Sequence, residues 1–255
     1  MRILMVGDVV GKPGRKAISV LLPELRGKHG IDLIVANGEN AAGGIGLTPE
    51  TAQELFQAGV DVITSGNHIW HHKEIIPYIE NEPRVLRPLN MPPGVPGRGY
   101  LITEKAMVVS LMGRVFVGHF DCPFRAMDCL LEEVNPRPQV ILVDFHGEAT
   151  AEKVALGWYL DGRVSAVLGT HTHVGTIDTR ILPKGTAFVS DVGMVGATNS
   201  VIGDDTDSVI QRFLTMMPHR LSVGKGNPMF NSVLVDAEDN SGRALSICRL
   251  DLELT

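Results

Sequence analysis

The 255-residue sequence predicts an α/β protein built on largely parallel strands. Two observations carry this. Short β-branched apolar runs recur along the chain, each followed by a polar cluster and then a helix-like segment. The polar clusters also share a chemistry: carboxylates, amides and imidazoles stand at one strand exit after another.

Taken in order, Arg2–Val6 reads as a buried strand closed by Gly7-Asp8, with a helix through Arg15–Arg26. Ile31–Ala36 is a second strand and runs into Asn37-Gly38-Glu39-Asn40. Its helix is Thr48–Ala58, with Thr48 as N-cap and Pro49 in the first helical position. Val60–Thr64 is a third strand, ending in Ser65-Gly66-Asn67-His68, and Lys73–Glu80 reads as a short helix. Pro83–Gly99 is rich in Pro and Gly and lacks periodicity, which predicts a long surface loop, a candidate lid, rather than a linker. Tyr100–Val109 and Arg114–Val117 are expected to form hairpin strands. Val140–Phe145 ends at His146, with helical Ala151–Leu160 behind it, and Val164–Gly169 ends in Thr170-His171-Thr172-His173. Ser232–Asp236 and Ala244–Leu254 alternate as edge or hairpin strands do, so mixed sheets are expected. One domain over residues 1–255 is expected, with no internal repeat.

Composition limits the function. A hydrophobic content of 44% with 20% charged residues is that of a globular chain. The net charge of −6 and the absence of any Lys/Arg-rich run argue against duplex nucleic acid as a partner. A small nucleotide is compatible, because metal ions can supply the missing positive charge. The opening MRILMVGDVVGKPG is too short in its apolar part, and too early broken by Asp8, for a signal peptide. No apolar run reaches membrane-spanning length. Three cysteines (Cys122, Cys129, Cys248) include no CxxC pair, which points to a reducing cytoplasm. A homo-oligomer stays open.

Ligands of open α/β sheets bind beyond the carboxyl ends of the strands, where loops converge. Five strand exits here carry metal-type or catalytic-type residues: Asp8, Glu39-Asn40, Asn67-His68, His146, and His171 with His173. Alone, a histidine after a strand is a solvated loop residue and HxH is a polar turn; five coincidences outweigh that reading. Carboxylate, amide oxygen and imidazole suit a borderline or hard ion such as Mn, Fe or Zn. The set is too large for one tetrahedral site and matches two metals sharing a carboxylate, a pair that activates a water as hydroxide for attack on phosphorus. In an extended segment the i, i+2 spacing of His171 and His173 aims both rings to one side.

Gly7-Asp8, Gly66-Asn67-His68, the lone His146 and Gly169–His173 together resemble the calcineurin-like metallophosphoesterase superfamily. More narrowly, ANGENAAGG, GNHIWHHKEI, DFHGEAT followed by Glu152-Lys153, and LGTHTHV resemble the bacterial YmdB-type metallophosphodiesterases. The resemblance spans the chain and keeps motif order. It implies the calcineurin-like sandwich of mixed β-sheets flanked by helices, and a dinuclear centre. Superfamily members open with Asp-x-His, but this chain has Asp8-Val9-Val10. The resemblance therefore implies that Glu39 bridges the metals and Asn40 stands in for the missing histidine. Asp8, Glu39, Asn40 and His173 would hold one metal, and Glu39, Asn67, His146 and His171 the other. His68 would donate a proton to the leaving oxygen, a task suited to an imidazole.

The activity so implied is a metal-dependent phosphodiesterase acting on small nucleotides such as 2′,3′-cyclic nucleotides. A phosphomonoesterase on the same scaffold, or a regulatory protein that keeps its metals, are the alternatives. Asp191, in VSDVGMVG, is expected to orient a histidine. His71, His72 and His119 are read as surface or structural groups, and Arg87, Arg114 and Arg125 as solvated ones.

Overall fold

The computed structural model describes residues 1–254. In chain order the elements are β1 (Arg2–Val6), β2 (Asp8–Val9), α1 (Gly11–His29), β3 (Leu33–Asn37), α2 (Pro49–Gln57), β4 (Val62–Thr64) and α3 (Ile75–Asn81). Then come β5 (Tyr100–Ile102), β6 (Ala106–Met112), α4 (Pro123–Glu133), β7 (Val140–His146), α5 (Thr150–Leu160), β8 (Ala166–Thr170), β9 (Arg180–Ile181) and β10 (Ala187–Val189). The last are β11 (Met194–Asp204), α6 (Thr206–Thr215), β12 (Val223–Phe230), β13 (Ser232–Ala237), β14 (Ala244–Arg249) and β15 (Leu252–Glu253).

Three sheets result, ordered β14-β13-β1-β3-β4, β5-β6-β7-β8-β10-β9 and β15-β12-β11-β2. Within the first, β1, β3 and β4 run parallel, with β13 and β14 added antiparallel. Within the second, β6, β7, β8 and β10 run parallel, with β5 and β9 antiparallel at the edges. The mixed sheets and helices expected from the sequence are present.

Why the strands read as continuous apolar runs is now clear. Side chains alternate between the two faces of a strand. Ile3 and Met5 of β1, with Leu33 and Val35 of β3, face Val108, Leu142, Leu168 and Val189 of the six-stranded sheet in one buried layer. Leu4, Val6 and Ile34 face the opposite way, against Ala17, Ile18 and Leu22 of α1 and Leu55 of α2. Ile141, Val143 and Phe145 of β7 likewise turn outward onto Met127 and Leu130 of α4 and Leu156 of α5. The order is helices, sheet, sheet, helices, and every central strand is buried on both faces.

Local chemistry sets the ends. Thr48 caps α2: its hydroxyl accepts the Thr51 N–H while the Thr51 hydroxyl accepts the Thr48 N–H, with Pro49 behind it. Helix α1 begins earlier and ends later than expected; it closes on Gly30, whose left-handed backbone returns its N–H to the Arg26 carbonyl.

Two expectations are corrected. Arg114–Val117 forms no strand, because the Glu152 carboxylate captures the Arg114 and Val115 N–H groups and curls the segment after β6. The antiparallel partner of β6 is β5, joined by a turn in which the Thr103 hydroxyl accepts from Lys105 and Ala106. The 83–99 segment is a loop, yet Arg84, Leu86 and Leu89 are stitched by backbone hydrogen bonds to Ile63 of β4 and Ser110 of β6. A flap hinged at Pro83 would have to break them; Pro92–Gly94 is the exposed part. No helix among the described residues is long and apolar enough to cross a membrane.

Candidate metal centre at the strand exits

The layer between the two larger sheets is apolar along most of its length and turns polar at the carboxyl ends of its strands. Alternation explains how. On β7, Val140 and Leu142 face inward, so Asp144 and His146 face the same way. By the same count Leu33 and Val35 lead to Asn37, Val62 to Thr64, and Ala166 and Leu168 to Thr170. These five polar side chains are completely buried and bonded to one another.

Asp144 is the hub. It accepts from Thr64 Oγ1 at 2.5 Å, Thr170 Oγ1 at 2.7 Å and Asn37 Nδ2 at 3.1 Å. Thr170 gives its only proton to this carboxylate, so at 2.9 Å from His146 Nδ1 it can only accept. His146 therefore carries hydrogen on Nδ1 and turns Nε2 toward the cluster.

What meets Nε2 there is unusual. Glu39 Oε1 lies 2.9 Å away and His171 Nδ1 3.0 Å away. His171 engages Glu148 through its other nitrogen, at 3.2 Å. Three electron-rich atoms thus converge: Glu39 Oε1, His146 Nε2 and His171 Nδ1. Burial favours a neutral His146, but Glu39, then Asp8 and Asp144, override it and raise its pKa to about 9. Burial and the neighbouring His146 push His171 down to about 3. Burial opposes the charge on Glu39 too, but His146 and His68 hold its carboxyl well below the usual range.

Beside this group is a second. Asp8 Oδ2 accepts the His171 N–H at 3.1 Å, and its Oδ1 lies 3.7 Å from His146 and 3.8 Å from His173. Burial pushes the Asp8 carboxyl up to about 6, against the pull of His173 and His146. His173 Nδ1 donates to the Ile202 carbonyl at 2.6 Å, which leaves Nε2 bare and 3.1 Å from the Asn40 amide. Asn40 Oδ1 in turn accepts from His68 Nδ1 at 3.1 Å. Both His171 and His173 have left-handed backbones (φ 102° and 64°), so the segment is bent, not extended, and each ring is delivered to its own group.

Seven of the residues expected from the sequence are linked by these contacts, namely Asp8, Glu39, Asn40, His68, His146, His171 and His173, whereas Asn67 makes no side-chain hydrogen bond to them. Glu39 touches both His68 and His146 and stands between the groups. Among the described residues, four buried side-chain atoms lack a hydrogen bond: Asp8 Oδ1, Glu39 Oε1, Asn67 Oδ1 and Arg87 Nε. Two of the four, Asp8 Oδ1 and Glu39 Oε1, are oxygens of this cluster, and Asn67 directly precedes His68 in the chain. Buried oxygens without donors are costly, and a cation is what satisfies them. Oxygen donors mixed with bare imidazole nitrogens fit a divalent ion of the borderline class.

Sequence reasoning missed Asn37, Asp144, Thr170 and Lys153. Counting back by twos from His146 was the signal for Asp144. Asp191 orients no histidine ring: its Oδ2 takes the Thr172 N–H (3.0 Å), the Thr172 hydroxyl (2.8 Å) and buried Lys153 Nζ (2.7 Å). It fixes the backbone that carries both histidines. His71 packs edge-on to His72, whose ring meets the Ile45 carbonyl, outside the cluster.

Gly66 shows how closely the exits meet. A Cβ there would sit 2.2 Å from His146 Cδ2 and 2.5 Å from Glu39 Oε2. Gly66→Ala is expected to fold but to bind metal about 10–100-fold more weakly, the scale for displaced ligand supports; metal titration followed by thermal melting checks both halves.

Two mixed sheets packed face to face, with carboxylates, amides and imidazoles meeting at one end, define the metallophosphoesterase class of fold and site. The family model of YmdB-like proteins matches residues 4–250, and the chain belongs to that family. It is 46% identical over 254 residues to a Bacillus subtilis (strain 168) 2′,3′-cyclic-nucleotide 2′-phosphodiesterase, covering 98% of this chain and 96% of that protein. A crystal structure of a hypothetical protein from Thermus thermophilus superposes with a TM-score of 0.93 at 45% identity, covering 99% of each chain. Another, described as a novel phosphatase of Mycoplasma pneumoniae, gives 0.94 at 32% identity, covering 99% of this chain and 93% of that one.

Proposed function

We propose that the chain is a dinuclear metal-dependent phosphodiesterase that opens 2′,3′-cyclic nucleotides. The observation that carries this reading is the pair of donorless buried oxygens, Asp8 Oδ1 and Glu39 Oε1, lying beside the imidazoles of His146 and His173. The B. subtilis relative's activity supports the substrate class. Asp8, Asn40 and His173 would hold one ion, Asn67, His146 and His171 the other, with Glu39 shared. When bound, such ions (Fe, Mn or Zn) supply Lewis acidity, lowering the pKa of a water and neutralising phosphoryl charge.

The chain's own residues do the rest. Asp144 and Thr170 lock the His146 tautomer, and Asp191 holds the His171–His173 backbone. His68 has Nδ1 tied to Asn40 and Glu39, and its side chain is 36% exposed. With Nδ1 donating to Asn40, it is the Nε2–H of the imidazolium form that would be given up toward a leaving oxygen. A reducing cytoplasm belongs to this reading, supported by the three free cysteines.

Turnover compared across bis(p-nitrophenyl) phosphate, p-nitrophenyl phosphate and a 2′,3′-cyclic nucleotide tests the reading. Faster cleavage of the two diesters is expected. Faster cleavage of the monoester would favour a phosphomonoesterase, the alternative that the M. pneumoniae phosphatase keeps in view. Elemental analysis showing one ion or fewer per chain would overturn the dinuclear assignment. His68→Ala is expected to retain its metal and lose about 10²–10⁴ in turnover; unchanged turnover would remove His68 from the chemistry.

A further inference from the structure

The parallel strands of the six-stranded sheet have a second end, about 20 Å from the first along the seven residues of β7. There, a cleft of about 110 Å³ opens between three turns: the entry to β7 (Arg137–Gln139), the β9–β10 turn (Lys184-Gly185) and the β13–β14 turn (Ser241–Arg243). Its wall includes Arg137, Arg163, Lys184 and Arg243 and no acidic side chain. In a chain of net charge −6 this is a marked local excess.

Arg163 is neutralised by Asp128 at 2.7 Å. Arg137, Lys184 and Arg243 have no ion-pair partner among the described residues. The nearby acids are committed elsewhere. Asp161 accepts the Lys184 and Thr186 N–H groups, and Glu238 accepts the Ser241 hydroxyl.

A solvated basic face needs no architecture beneath it, and this one has some. Gly162, Gly185 and Gly242 all have left-handed backbones. A Cβ on Gly162 would strike Lys184 Cβ at 2.7 Å, and one on Gly185 would strike Arg243 Nε at 2.8 Å. A Cβ on Gly242 would come within 2.0 Å of the Gln139 carbonyl oxygen. The glycines let the turns close on one another and the cationic side chains lie across them. The turns are also joined, since the Ala244 N–H donates to the Gly185 carbonyl at 2.8 Å.

We propose that this cleft is a second ligand site, separate from the strand-exit centre, that binds a small oligophosphate: two or three linked phosphates, as in the tail of a nucleoside di- or triphosphate. Three unpaired cations from three different turns match several phosphates better than one. No aromatic side chain lines the wall, so recognition is of the charged tail rather than a base. Guanidinium groups suit it, with donors in the fork geometry that phosphate oxygens accept.

The test is calorimetric titration of the metal-loaded enzyme with inorganic tripolyphosphate. Two classes of site are expected, one at the metals and one at the cleft. Arg137→Ala/Lys184→Ala/Arg243→Ala is expected to weaken the cleft class roughly 10–100-fold, each lost exposed cation contributing a few-fold. Its turnover of bis(p-nitrophenyl) phosphate should stay at the wild-type rate, which also reports that it folds. Should the triple variant fail to fold, Lys184→Met alone is expected to weaken that class a few-fold and to flatten its salt dependence. A single class of site in the wild type, or two classes unaltered in a folded variant, would overturn the proposal.

Discussion

Glu39→Gln is expected to cost the proposed dinuclear centre one of its two ions and about 10³ in turnover. The carboxylate is fully buried, touches His68 and His146, and has one oxygen with no donor. Glutamine keeps the size but removes the charge and replaces an acceptor oxygen by an N–H donor aimed into the cluster. A thousandfold loss corresponds to about 4 kcal/mol of transition-state stabilisation, in keeping with a few kcal/mol from a shared metal ligand. Metal content by elemental analysis, read with steady-state turnover, checks it. Full activity with two ions retained would remove Glu39 from the bridging position.

Asp191→Asn is the second large effect, and it falls on stability as well as activity. Lys153 and Asp191 are 3% and 2% exposed and paired at 2.7 Å. Removing one charge strands the other, and breaking a buried pair costs about 3–5 kcal/mol. For a chain of this size that is roughly 6–20 °C in Tm. The amide can still accept from Thr172 but no longer compensates the ammonium. The His171–His173 bend should therefore loosen and metal affinity fall about 10–100-fold. Lys153→Met combined with Asp191→Asn removes the stranded charge. It should recover much of the Tm while leaving metal affinity low, an outcome that separates loop positioning from general stability. Melting curves and metal titrations on the two variants decide it.

How legible was all this beforehand? The strand exits were, because a β-branched run followed by Asp, Asn, Glu or His is a local pattern, and five copies of it reinforce one another. Local patterns do not show what crosses between elements. Asp144 lies inside the apolar run Val140–Phe145, and only the facing sheet supplies its partners Asn37 and Thr64. Lys153 lies on helix α5, and its buried partner, Asp191, stands 38 residues further on, beyond the reach of any local pattern. The long β11–β12 pair escaped because Gly196, Gly203, Gly224, Gly226 and Pro228 break the alternation that signals a strand. Helix α4 had Met127, Leu130 and Leu131 at helical spacing behind Pro123, and that signal went unread. Arg114–Val117 had the composition of a strand, and one carboxylate outweighed it.

Gly7 marks a change of allegiance in the chain. Val6 still pairs with β13 in the five-stranded sheet, whereas Asp8, two residues on, pairs with Met194 in the four-stranded one. A Cβ on Gly7 would lie 2.0 Å from the Gly193 carbonyl oxygen, so this corner admits no other side chain. His173 leans on the same outlying sheet through the Ile202 carbonyl of β11. His146 ends the central strand β7 and His171 follows the central strand β8, with the His171 N–H linking across to Asp8. The two halves of the proposed centre are thus moored to different parts of the molecule. Loosening the outlying sheet, by warmth or denaturant, should release the ion on the Asp8–His173 side while the other stays held. Partial unfolding would then show itself as a half-loaded enzyme before any loss of its core.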